Sequence, residues 1–247
     1  MLLLHGIGHR WQGWLPVLDD LAHQYDVVAL DLPGFGDSAP PPASVGVTLD
    51  GLVDAVEKAM DELGWQQAHL VGNSLGGWIA FELARRGRAL SVTGVAPAGL
   101  WRKGSRQLHV KALFAVWTNG GKVINKVPFI FKLALVRTLS LFPLFGKPWK
   151  IPAQDAIDDL KVFVTPSLGK TMSALDGLAF EGGQHLGVPV TVAWCQFDPL
   201  FQKSWGKLDQ LPADTRVVVL PRCGHVPMWD DPAAVTRAIV LTAGAAI

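Results

Sequence analysis

The chain changes its polarity period several times. Leu2–Leu4, Val27–Leu30, Ala68–Val71, Ser91–Ala96, Val188–Cys195 and Arg216–Leu220 are short, mainly apolar runs without strict alternation, the pattern of strands buried on both faces. Between them apolar residues recur at helical spacing. Trp14, Leu15, Leu18, Leu21 and Ala22 share one such face, and Leu49–Leu63 is amphipathic and closed by Gly64. An Ala/Leu/Arg-rich stretch, Leu75–Arg86, ends before Gly87, and Asp231-Pro232 supplies an N-cap and a first-position proline for a final helix. Strands alternating with helices predict an α/β fold with a doubly wound, mostly parallel sheet.

The alternation stops from Leu100 to about Gly187, where the chain is rich in Trp, Phe and Leu and predicts helices near Gln107–Trp117, Phe129–Leu141, Gln154–Val164 and Ser167–Phe180. The organisation expected is a core made of residues 1–99 and 188–247, with a helical cap or lid, 100–187, inserted between two strands. No internal repeat is visible.

Composition adds limits. At 247 residues and 49% hydrophobic the chain can bury a large core, and a net charge of +1 argues against a general nucleic-acid binder. That near-neutral total conceals polarisation. Residues 99–150 hold ten of the 22 Lys and Arg and none of the 21 acids. Either the apolar residues of this stretch pack on the core while its lysines solvate the outside, or a basic, aromatic surface makes weak contact with an anionic membrane or draws in amphipathic substrates with an apolar acyl chain and a negative group. Val127–Phe145 is interrupted by Lys132 and Arg137 and does not predict a spanning helix. Cys195 and Cys223 are too few for a disulfide framework and are expected as neighbouring free thiols. With no signal-peptide pattern at Met1–Leu4, the expected compartment is the cytoplasm.

The most informative stretch is Gly72-Asn73-Ser74-Leu75-Gly76-Gly77, lying between an apolar run and a helix. A sharp strand-to-helix turn lifts a serine above the sheet edge, and glycines two residues to either side relieve the crowding this causes. The helix opening at Leu75 points free N–H groups at the place where an oxyanion would form. Two further residues lie on loops that follow strands, Asp198 in Gln196–Leu200 and His225 in Pro221–Trp229. In a parallel sheet such loops open on one edge, so Ser74, Asp198 and His225 share a rim as nucleophile, orienting acid and base. The chain order Ser, Asp, His is that of the α/β-hydrolases. The strand tip at Pro97–Gly99 offers no competing carboxylate. Asp31 is expected to tie down its own turn, with catalysis a weaker second reading. His5 and His9 stand four apart on a glycine loop, a poor basis for a metal site. No phosphate-cradling motif occurs, and neither cofactor nor metal is expected.

These segments, with His5-Gly6-Ile7-Gly8 and Asp31–Ser38, resemble the α/β-hydrolase fold, in particular its cofactor-free esterases, carbon-carbon bond hydrolases and perhydrolases. The resemblance implies Ser74 as nucleophile, His225 as base, Asp198 as acid, the backbone N–H groups of Ile7 and Leu75 as oxyanion hole, and a lid in the insertion. Members with an Asp nucleophile, such as epoxide hydrolases and haloalkane dehalogenases, are disfavoured by Ser74. The antiparallel strands that usually precede the first strand of this family have no counterpart before Leu2. The expectation drawn from this is a truncated start, or an apolar edge at Val27–Leu30 that pairs with another chain. The function expected is hydrolysis of a carboxylic ester of a small or medium apolar substrate. The alternatives are carbon-carbon hydrolysis of ring-cleavage ketones and a non-catalytic small-ligand receptor. The oligomeric state is left open.

Overall fold

A computed structural model describes residues 1–44, 46–201 and 206–246. Its strands are β1 (Leu2–Leu4), β2 (Val28–Leu30), β3 (Ala68–Asn73), β4 (Ala89–Val95), β5 (Val190–Cys195) and β6 (Arg216–Leu220). All five pairings are parallel, in the order β2-β1-β3-β4-β5-β6. The direction of winding reverses between β1 and β3, where Leu4 pairs with Gly72. Loops that follow these two strands diverge to opposite faces and leave a crevice, so the reversal positions the site.

The core has two halves, as the near-continuous apolar character of the strands requires. On one face α2 (Leu49–Glu62) and α3 (Leu75–Arg85) bury Leu52, Val56, Met60, Ile79 and Leu83 against Leu2, Leu4, Leu70 and Val92. On the other, α1 (Leu15–Ala22) and α8 (Pro232–Ala243) bury Val17, Leu21, Val235 and Ile239 against Leu3, Val71, Val95 and Ala193. Successive residues of one strand thus feed both halves, as the two-residue period of a strand dictates. Thr48 caps α2 by accepting from Gly51 N–H, and Asp231 caps α8 by accepting from Ala234 N–H.

Residues 96–189 leave the sheet and return to it. They carry α4 (Leu108–Ile124), α5 (Ala134–Leu141), α6 (Ala153–Phe163) and α7 (Pro166–Ala174). The helix predicted over Phe129–Leu141 is divided: Pro128–Lys132 is a 3-10 turn and α5 begins only after Leu133, which is extended. Arg137 explains the break. Its guanidinium is buried and donates to the carbonyls of Phe131 and Lys132, satisfying acceptors that a continuous helix would have used internally. The helix near Gln107 runs a further two turns, to Ile124, and Gly121 lets this extension pass Leu160 and Val164 closely. The last predicted helix stops early, at Ala174 rather than Phe180, where Gly177 takes a positive φ of 74°.

Candidate active site

Ser74 sits between β3 and α3 with φ 54° and ψ −117°, a conformation that costs a non-glycine residue about 1–3 kcal/mol. The surroundings hold it there. Ser74 N–H donates to Val95 O (3.0 Å), and Ser74 O accepts from Gly77, Trp78 and Ala98. A side chain on Gly72 would strike the Gly76 carbonyl, and one on Gly76 would strike the Leu4 carbonyl, so only glycine permits the turn to close against β1.

Asp198 and His225 occupy the loops after β5 and β6. The ring Nδ1 of His225 lies 2.8 Å from Asp198 Oδ2, and Asp198 Oδ1 accepts from Leu200 N–H (2.7 Å) and Phe201 N–H (3.1 Å). Both side chains are buried. With both oxygens engaged, the carboxylate fixes the ring plane and directs the Nδ1 proton toward itself. His225 Nε2 is buried and has no partner among the described residues. It belongs to a cavity of about 30 Å³ whose lining includes Gly6, Ile7, Asn73, Ser74 and Val226. A direct Ser74–His225 hydrogen bond, which the shared rim predicts, is therefore not made. The two side chains face one small space instead, and such bonds commonly tighten only with substrate in place.

Ile7 and Leu75 also border Ser74. Leu75 opens α3, where an N–H has no intrahelical acceptor, and Ile7 N–H has no acceptor among the described residues. Gly6 brings the Ile7 loop close: a Cβ there would lie 3.0 Å from Ser74 Cβ. A second cavity, about 80 Å³, also borders Ser74 and is walled mainly by Trp78, Trp101, Val110, Phe114, Met172 and Phe201. It is an apolar pocket with a serine at its base.

Three positioning residues escape sequence reasoning. Asn73 donates through Nδ2 to Val95 O (3.0 Å) and to His225 O (2.9 Å), tying the histidine loop to the sheet. Asp230 is fully buried and accepts from Gly146 (2.7 Å), Lys147 (2.6 Å) and Gly224 (2.8 Å) N–H groups, joining that loop to the insertion. Burial pushes its carboxyl up, and the three N–H groups pull it back only partly. Arg10, just beyond the Ile7 loop, reaches α6 through Asp159 (2.7 Å) and Asp155 (3.3 Å). Burial pushes the Asp159 carboxyl up, but His9 and Arg10 outweigh it and leave it below the usual range. His9 Nε2 stands 3.4 Å from Asp159 Oδ2, at ion-pair distance without hydrogen-bond alignment. Adjacency to Ser74 was the one available signal for Asn73. Asp230 and Asp159 are paired only through folding.

Other candidates fall into structural places. Asp31 accepts from Trp11 N–H (2.7 Å) and Asp37 N–H (3.0 Å), which is the turn-holding role its sequence suggests. His5 and His9 form no metal cluster among the described residues. Cys195 and Cys223 are buried free thiols, and burial raises both, Cys223 to about 12. No helix among the described residues is long and apolar enough to cross a membrane.

The profile of the Alpha/beta hydrolase family matches residues 1–238. The chain belongs to that family. Among curated alpha/beta hydrolase relatives, "Epoxide hydrolase EphH" of Mycobacterium tuberculosis is 37% identical over 211 residues, covering 76% of this chain and 91% of that protein. The 2-hydroxy-6-oxo-6-phenylhexa-2,4-dienoate hydrolase of Burkholderia cepacia is 29% identical, covering 96% and 85%. In three dimensions the naproxen esterase of Bacillus subtilis superposes with a TM-score of 0.75 at 20% identity, covering 97% of this chain and 81% of that one. At that identity the likeness is one of fold. The protein is thus a hydrolase of the alpha/beta hydrolase fold, with an epoxide hydrolase and a dienoate hydrolase among its relatives and an esterase among the proteins that share its fold.

Proposed function

We propose that the protein hydrolyses a carboxylic ester of a small or medium apolar substrate through an acyl-serine intermediate on Ser74. The observation that carries this is the buried, unpartnered Nε2 of His225, whose other nitrogen is held by Asp198 and which shares a cavity with Ser74. In this scheme Nε2 takes the Ser74 proton as Oγ attacks the ester carbonyl, and Asp198 stabilises the imidazolium. The oxyanion is met by the Ile7 and Leu75 N–H groups. His225 then protonates the departing alcohol and activates the water that releases the acid. The apolar pocket beside Ser74 holds the acyl group, and residues 100–187 act as the lid that keeps bulk water out. A pocket of about 80 Å³ suits a small acyl group.

Similarity to an epoxide hydrolase brings in a second reading, and the chemistry of residue 74 weighs against it. A carboxylate that opens an epoxide leaves an ester, which water can cleave at its carbonyl. A serine hydroxyl would leave an ether, which offers water no carbonyl to attack. Carbon-carbon hydrolysis of a ketone can use the same three side chains and is separated by products alone.

The test is a panel of short-chain esters, ring-cleavage ketones and epoxides assayed with the native protein and with Ser74→Ala, together with fluorophosphonate labelling. Ester turnover and stoichiometric labelling at Ser74 are expected, and both disappear in Ser74→Ala. Epoxide turnover that survives Ser74→Ala, in the absence of any labelling, would overturn the assignment.

A further inference from the structure

The outer face of the insertion has the wrong polarity for water. Val116 and Val123 on α4, Phe129 and Leu133 before α5, and Leu135 and Leu139 on α5 are all exposed, Leu139 to 73% and Phe129 to 63%. Leu135 and Leu139 are four residues apart, so they line one stripe of α5. Val116 and Leu139 border the same cavity, of about 310 Å³, which places the two helical faces side by side. So many exposed large apolar side chains on one short stretch of chain mark an interaction site.

Charge identifies the kind of partner. Lys122, Lys126 and Lys132, interspersed in the chain with these residues, are exposed and make no ion pair among the described residues. Five of the other seven cations of residues 99–150 are committed elsewhere, Lys147 and Lys150 by donating to Asp230 O. Lys103 pairs with Glu181, Lys111 with Asp176, and the buried Arg137 with backbone carbonyls, so Arg137 drops out of the basic surface its sequence position suggests. No acidic side chain occurs anywhere in 99–150. Two copies docked face to face would oppose these lysines with nothing to neutralise them.

We propose that this face docks on an anionic lipid surface, with Phe129, Leu133, Leu135 and Leu139 entering the headgroup region and Lys122, Lys126 and Lys132 lying level with the lipid phosphates. The contact is peripheral, since no described helix can span. Docking would bring the lipid to an apolar route into the protein. Gly8, His9, Leu144 and Phe163 line both the 310 Å³ cavity and the small space shared by Ser74 and His225. The docking stands on the surface alone. Use of the route by substrate rests on the proposed hydrolase activity, and vesicle binding by Ser74→Ala protein separates the two.

The experiment is cosedimentation of native and Ser74→Ala protein with vesicles of phosphatidylcholine alone or mixed with phosphatidylglycerol, at low and high salt. Both proteins are expected to bind the mixed vesicles at low salt, to release at high salt, and to bind phosphatidylcholine far more weakly. Replacing Lys122, Lys126 and Lys132 together by Gln should weaken partitioning roughly 100-fold, about fivefold per lysine. Phe129→Ser with Leu139→Ser should weaken binding to both compositions. Thermal melting confirms that these exposed substitutions leave the fold intact, and the lipid and salt comparisons on native protein need no variant. Absence of binding to mixed vesicles overturns the proposal. So does sedimentation without vesicles, which would assign the face to a second copy, or binding indifferent to salt and to all five substitutions.

Discussion

His5 and His225 lie at the same edge of the sheet, both buried and both near an aspartate, yet their rings are engaged differently. His5 uses both nitrogens on backbone: Nδ1 lies 2.7 Å from Gly6 O, and Nε2 accepts from Leu32 N–H at 2.9 Å. Its Asp31 neighbour is 3.8 Å away, beyond a hydrogen bond. His225 uses only one nitrogen, against Asp198, and its second is left bare beside Ser74. Burial and an adjacent carboxylate are therefore common to both rings, and what sets His225 apart from His5 is a bare Nε2 in the cavity it shares with Ser74, the atom the proposed base role would use.

The sharpest way to break this contrast is to remove each ring. His225→Gln should lower ester kcat by about 10⁵-fold with little change in melting temperature, whereas His5→Gln should lower kcat by less than about tenfold and cost about 2 kcal/mol of stability. Equal losses of activity in both would erase the distinction, and kcat measured beside denaturant midpoints decides. The aspartates come next. Asp198→Asn should cost about 10⁴-fold in kcat, because an amide presents the wrong partner to Nδ1–H, while Asp31→Asn should cost under about tenfold. Steady-state kinetics on the two variants tests this pair.

The smallest effect is a pH slope. Burial holds the His5 pKa at about 4, below the usual 6.5. Between those values unfolded His5 binds more proton than folded His5, so its contribution to stability is fully present above about pH 6.5 and falls by up to about 3 kcal/mol as pH drops to 4. His5→Gln should flatten that slope. Urea midpoints near pH 7 and pH 4.5 measure it, and an unchanged slope in the variant would show that another group carries it.

The sheet was legible because its inner strands are buried on both faces and its edge strands, though half-open, are still short apolar runs. The elbow was legible because its geometry restricts residue choice at Gly72, Ser74 and Gly76. Asp198 and His225 could be placed because a parallel sheet puts every strand-following loop on one rim. Asp230 could not be found this way, since its three backbone partners lie at residues 146, 147 and 224 and nothing in the sequence marks a free N–H. Helix ends in the insertion failed for a similar reason. The apolar pattern continues through Leu133, and only the buried Arg137 guanidinium, taking the carbonyls before it, shows why the helix is broken there.

The link from Arg10 and His9 to Asp159 sets a rule for transplanting the insertion. A chimera that takes residues 100–187 from a relative would import a new ceiling for the pocket, but it would also replace the carboxylates at 155 and 159 on which Arg10 rests. The guanidinium would then be left largely buried without its anions, one short turn from the loop that carries Ile7. The segment behaves as a module only when its α6 acids travel with it, so graft boundaries follow charge partners rather than strand ends.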